Sequence, residues 1–192
     1  QIYSHQTDFT ENIGIIDEDY ETGDFTNYSW IQGTYPWTVD ANQIYEGVYS
    51  SRSADNLPDN QESELSIEVD VLSPGDISFY KFVSSEFNFD FLKFKINGNK
   101  VGEWSGEDSI WSFVSFPVIN TGLHTFKWEY DKDASWSEGD DCAWIDYIVF
   151  PPITITQTSL GNSIADIKIF PNPTIGFFFF VFGGGKNKSL EI

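Results

Sequence analysis

The sequence predicts an all-β fold: a jelly-roll β-sandwich of two antiparallel sheets, with a short C-terminal linker and a hairpin-like tail. Three observations carry this. About ten short runs rich in β-branched and aromatic residues recur at even spacing, bounded by Gly, Pro, Asn or Asp. No segment of ten residues keeps the 3.6-residue apolar period of an amphipathic helix. Aromatic side chains make up 18% of the 192 residues, whereas acidic disordered chains carry few.

Residues 1–16 are mixed and polar and read as a lead-in or linker. Residues 15–25 contain a first strand, ended by Thr22-Gly23-Asp24. Residues 28–32 and 37–39 are short aromatic segments around Gly33 and Pro36, and residues 47–53 alternate weakly. Pro58 marks residues 55–61 as a loop. Residues 64–71 alternate strictly: Leu65, Ile67, Val69 and Val71 share one face, Glu64, Ser66, Glu68 and Asp70 the other. Pro74-Gly75 turns the chain into residues 76–84, which are apolar on both faces (Ile77, Phe79, Val83 against Tyr80, Phe82) and so predict a central, covered strand. Residues 89–96 and 100–104 flank Asn97-Gly98, a strong hairpin signal. Residues 110–118, 123–130 and 143–150 complete the set, with Asn120-Thr121-Gly122 as a turn. The predicted domain is 17–151. Residues 152–165 read as a Thr/Ser-rich linker after Pro151-Pro152, and residues 166–192 as a tail too small to hold a core.

The net charge is −20, and it is unevenly placed. Residues 1–150 carry 7 Lys+Arg against 28 Asp+Glu, net −21; residues 151–192 carry 3 against 2, net +1. Nucleic acid and anionic membrane surfaces both need clustered cations, so neither is an expected partner. No stretch has the length of a membrane span or the flanks of a signal peptide. Cys142 is the only cysteine, which excludes an intramolecular disulfide; it reads as a small core residue. The chain opens on Gln1, as a mature product or a fragment would.

Carboxylates are densest between strands. Glu129, Asp131, Asp133, Glu138, Asp140 and Asp141 fall within 13 positions, and Asp146 lies on the strand beyond. Crowded carboxylates need partners, and two readings stand: a solvated acidic loop, or a Ca²⁺ site made by Asp131, Asp133, Glu138, Asp140 and Asp141. Trp136 sits within that loop, where an exposed ring could stack on a sugar; Trp37 and Tyr35, with Trp104 and Trp111, lie at strand ends near loops. Glu64, Glu68 and Asp70 share a strand face, as paired glycosidase carboxylates do. Ser73 stands where the Glu-x-Asp-x-x-Glu spacing of concanavalin-like glucanases needs its last Glu, so an acidic exterior face is the better reading. His124 reads as structural, and no nucleophile–base grouping is present.

Two resemblances add to this. Ile167, Lys168, Ile169, Phe170, Pro171, Asn172, Pro173, Thr174 and Gly176 resemble the C-terminal sorting domain of the type IX secretion system of Bacteroidetes. The chain ends about twenty residues after the motif, shorter than the family's continuation. That resemblance implies export, a secreted or cell-surface location, and the secretion machinery as a partner. Asp19–Phe25 with Trp30, Trp37, Glu46-Gly47 with Ser50–Ser53, Ile77–Phe79, Trp128-Glu129-Tyr130 with Lys132-Asp133, and Gly139 through Asp146 resemble the MAM-like or adhesin-like jelly-roll modules of secreted Bacteroidetes proteins. The resemblance implies a structural Ca²⁺ held by Glu21 on the first strand and Asp146 on the last, with carbonyls of Asp19 and Gly47. It also implies a non-catalytic, adhesin-like module that binds glycan or a surface protein. A glycoside hydrolase and a structural spacer are the alternatives.

Overall fold

The computed structural model describes residues 17–154 and the backbone of two tail strands. The chain divides into two compact units, Gln1–Gln157 and Thr158–Ile192. In the second, Lys168–Pro171 pairs antiparallel with Phe178–Val181. Asn172, Pro173 and Gly176 of the sorting motif, and the 1–16 lead-in, lie outside the described residues.

The described part of the first unit is built from β1 (Asp17–Glu18), β2 (Ile31–Gln32), β3 (Thr38–Asp40), β4 (Ser50–Arg52), β5 (Glu62–Val71), β6 (Gly75–Ser84), β7 (Phe91–Ile96), β8 (Asn99–Trp104), β9 (Ser112–Val118), β10 (Gly122–Asp131), β11 (Cys142–Val149) and β12 (Ile153–Thr154). Sheet one runs β3-β4-β11-β6-β9, with β1 on β11; sheet two runs β12-β5-β10-β7-β8, with β2 on β5. Every pairing is antiparallel, as a jelly-roll sandwich requires.

Alternation explains the packing. Leu65, Ile67, Val69 and Val71 of β5 are all buried, and Ile77, Phe79 and Val83 of β6 meet them from the other sheet. Trp128 of β10 joins the layers: its ring lies 5.4 Å from Phe79, 4.9 Å from Phe94 and 5.9 Å from Trp30. Side chains of this size each contribute about 1.5–3 kcal/mol when buried. Asn97 and Gly98 both have positive φ (52° and 78°), the two-residue hairpin geometry that matches strand twist, and they join β7 to β8 as the dipeptide predicts.

Three expectations are corrected. The first strand is not residues 15–25: β1 ends at Glu18, and Glu21 lies in the turn beyond it. Side chains there bond the backbone instead. Glu18 Oε1 accepts from Tyr20 N, Asp19 Oδ1 from Glu21 N, and Asp24 Oδ1 from Thr26 N, which favours turns over a ladder. The linker begins later than residue 152, because Ile153 and Thr154 pair with Val71 and Asp70 of β5. The third concerns β6, which is central, between β11 and β9, but whose outer face no layer of the described residues covers: Tyr80 and Phe82 are half-buried among other aromatic rings.

Candidate functional site

The outer face of sheet one carries a connected aromatic surface. Tyr80 and Phe82 come from β6, Phe113 from edge strand β9, Trp111 from the segment before it, and Trp144 from β11. Tyr45, on the loop between β3 and β4, stacks on Tyr80 with ring centroids 3.4 Å apart and lies 6.1 Å from Trp111. Phe113 continues the surface 5.3 Å from Tyr80, and Phe82 lies 5.8 Å from Trp111 and 5.7 Å from Trp144. Tyr45 and Phe113 remain 40% and 57% exposed. Two hollows open here. One, of about 280 Å³, is lined by Tyr45, Glu46, Tyr80 and Tyr147. The other, of about 230 Å³, is lined by Asp40, Asn42, Gln43, Arg52, Asp140 and Trp144. In the second, Trp144 Nε1 donates to Asp40 Oδ2 at 2.6 Å, and the Arg52 guanidinium lies over the Trp144 ring at 5.4 Å. Flat rings beside hydrogen-bonding groups can stack on sugar faces and bond their hydroxyls.

The loop that supplies Tyr45 is clasped at both ends by carboxylates. Asp146, fully buried, accepts from Tyr45 N (3.0 Å) and Glu46 N (3.2 Å) through Oδ2, and from Tyr147 N (2.7 Å) through Oδ1. Tyr147 has φ 48° within a β-bulge, where β11 gains one residue against β6. Burial pushes the Asp146 carboxyl up to about 6, against the lowering effect of those three amides. Glu21 Oε1 accepts from Val48 N (2.7 Å) and Tyr49 N (2.9 Å). Gly47 lies against it with φ 68°, and a Cβ there would overlap the Glu21 carboxylate. Glu21 and Asp146 therefore meet the same loop, and three of their four oxygens are occupied by N–H donors. Glu21 Oε2 and the second lone pair of Asp146 Oδ1 are the acceptor positions these amides leave open. Asp19, beside Glu21, spends its own Oδ1 on the Glu21 N–H. Of the two carboxylates that do lie on β1, Glu18 is fully buried and accepts from Tyr20 N, Asn27 Nδ2 and Trp30 Nε1.

The remaining sequence candidates separate. Trp37 is 2% exposed, with its Nε1 donating to Ser63 O, so it has no face to offer a ligand. Tyr35 is half-buried against the core. Trp104 packs between the sheets beside Phe79 and Phe116. Trp136 is 81% exposed at the tip of the 132–141 loop, and Asp140 of that loop borders the second hollow. Asp131 pairs with Lys93, and Asp141 with Lys132 and Tyr130 Oη. On the outer face of β5, Glu64 is tied to Lys127; Glu62, Glu64 and Glu129 lie close together, but Lys95 and Lys127 sit among them. This is an ion-paired exterior, and Glu68 and Asp70 lie exposed beyond it. Cys142 is buried and accepts from Arg52 Nε; His124 is buried with Nδ1 2.9 Å from Gly122 O. The residues that sequence reasoning passed over are Tyr45, Tyr80, Phe82 and Phe113. For Tyr80 and Phe82 the signal is the apolar second face of residues 76–84; Tyr45 and Phe113 lie outside that run.

No protein-family model and no curated protein matches this chain. Solved structures do resemble it. One is the secreted serine protease VesC from Vibrio cholerae, with 21% identity and a TM-score of 0.51; the likeness covers 64% of this chain and 24% of that one. A second is the N-terminal CBM22-1-CBM22-2 tandem domain of Paenibacillus barcinonensis Xyn10C, with 16% identity and a TM-score of 0.50 over 82% of this chain and 50% of that one. A third is the K2 cleaved adhesin domain of Lys-gingipain, with 15% identity and a TM-score of 0.49 over 74% of this chain and 100% of that one. At these identities the likeness is one of fold. The chain spans about a quarter of the protease and half of the tandem domain.

Proposed function

We propose that this chain is a non-catalytic glycan-binding module of a secreted or surface-attached protein, and that the outer face of sheet one is its binding surface. The observation that carries this is the connected aromatic surface of Tyr45, Tyr80, Trp111, Phe82 and Phe113, with the polar hollow around Asp40, Asn42 and Arg52 beside it. Rings aligned across a sheet suit an extended chain of sugar units, and the hollow's polar groups suit hydroxyls at one end of it. The fold shared with a tandem of carbohydrate-binding modules supports the reading. The tail resembling a sorting domain supports the location. Catalysis has no comparable support: Glu64 on β5 and Glu129 on β10 are paired with lysines, and Glu21 and Asp146 accept from the backbone amides of the Tyr45 loop.

The test is a glycan array followed by titration of the best ligand. Replacing Tyr80 and Trp111 together by Ala removes stacking and is expected to weaken binding at least about ten-fold. Trp136→Ala is expected to leave affinity nearly unchanged. Full loss in Trp136→Ala with none in the double variant would move the surface to the 132–141 loop. Release of reducing ends from the bound polysaccharide would overturn the non-catalytic reading.

A further inference from the structure

The strands of sheet one carry two basic side chains, Arg52 and Lys81. Lys81 alternates to the inner side of β6, where it is buried and bonds Asp108 at 2.7 Å. Arg52 reaches the outer face, but its charge is already met. Its Nε donates to Cys142 Sγ at 3.2 Å, Nη1 pairs with Asp55, and the guanidinium lies over the Trp144 ring. Acids surround the aromatic surface instead. Asp40 and Asp140 line one hollow, Glu46 lines the other, and Asp76 shares the outer side of β6 with Tyr80. Glu46, Asp76 and Asp140 are exposed.

This balance of charge discriminates between glycans. A carboxylate accepts a strong, charge-assisted hydrogen bond from a sugar hydroxyl. It repels a uronate or sulfate placed within the screening length of physiological salt. An anionic substituent drawn into either hollow would also give up water without meeting a free cation.

The rings narrow the class again. A flat crystalline glycan face needs rings that lie in one plane. Tyr80 and Phe113 are inclined at 57°, Phe82 and Trp111 at 51°, Tyr45 and Trp111 at 60°, and Phe82 and Trp144 at 76°. Tyr45 and Tyr80 are near parallel, at 15°. Inclined rings suit a single chain whose successive units turn about their glycosidic bonds.

We propose that the outer face of sheet one takes single, soluble chains of uncharged sugar units, and that its carboxylates turn away polyuronates and sulfated glycans. This inference rests on the glycan reading above and names the ligand class of the same surface.

The experiment titrates the full chain with three kinds of probe. Mixed-linkage glucan, arabinoxylan and galactomannan are the neutral soluble chains. Polygalacturonate and chondroitin sulfate are the anionic ones, and microcrystalline cellulose and chitin supply flat faces. At about 0.05 M sodium chloride, a neutral chain is expected to bind at least about ten-fold more tightly than either anionic chain. That binding is expected to persist within about two-fold at about 0.5 M salt, and to be lost when Tyr80 and Trp111 are both replaced by Ala. Glu46→Lys combined with Asp140→Lys is expected to raise affinity for polygalacturonate at least about ten-fold at low salt. An anionic chain that binds as tightly as the neutral ones, and is lost in the Tyr80 and Trp111 double variant, overturns this inference and leaves the glycan reading standing. Retention on cellulose or chitin particles, lost in the same variant, does the same. So does a charge-reversed variant that gains no affinity for polygalacturonate. Absence of binding to every probe overturns both readings.

Discussion

Asp146 shows how one side chain ties pH to the candidate binding face. Its carboxyl stands at about 6 in the folded chain against an ordinary 3.8. Between those values the native state holds a proton that the unfolded state has lost. Stability from this group is therefore fully present at low pH and lost as pH rises through about 6, at up to about 1.4 kcal/mol per pH unit. In calcium-free buffer, unfolding free energy is expected to fall from pH 4.5 to pH 6.5, and Asp146→Asn is expected to flatten part of that slope. An unchanged slope in the variant would assign it to other groups. The sequence located Asp146 on the last strand but not its partners, because the amides of Tyr45 and Glu46 lie 101 and 100 residues away. Trp37 was misplaced for a related reason. A tryptophan beside Pro36 reads as a loop residue until Ser63, 26 positions on, takes its N–H into the core.

Among the elements, those fixed by local chemistry were the most legible. The strict alternation of residues 64–71 became β5, and Asn97-Gly98 became the β7–β8 hairpin. The double-faced pattern of residues 76–84 was legible as a strand but not as a surface, since periodicity cannot say whether a second apolar face meets a layer or a ligand. Two glycines separate backbone freedom from packing. Gly98 (φ 78°) has open space where a Cβ would stand, so Gly98→Ala is expected to cost about 1–2 kcal/mol from the left-handed backbone alone. Gly47 (φ 68°) adds displacement of Glu21 from the Val48 and Tyr49 amides. Gly47→Ala is therefore expected to cost more than Gly98→Ala. In a Glu21→Ala background the excess is expected to vanish, as chemical denaturation of the four variants would read. Equal costs in both backgrounds would detach Glu21 from that loop.

For the molecule as a whole, the charge imbalance read from composition has a spatial consequence. All seven basic side chains of residues 17–154, Arg52, Lys81, Lys93, Lys95, Lys100, Lys127 and Lys132, stand in ion pairs. Exposed pairs contribute little, and among the described residues most of the acids have no such partner. Screening relieves more repulsion than attraction, so the melting temperature is expected to rise by a few degrees as sodium chloride is raised to about 0.5 M; a fall would mean that the pairs dominate. The two ends of the described sandwich matter in another way. Asp17 pairs with Val149, and Ile153 pairs with Val71, so the chain enters and leaves at one pole, while Trp136 and the 84–90 segment occupy the other. Such a domain hangs from its polypeptide as a pendant. Tension along the chain meets the two-residue strands β1 and β12 first and peels their hydrogen bonds one at a time. The long strands β5, β6, β10 and β11 lie outside the line of load until those short ones have given way.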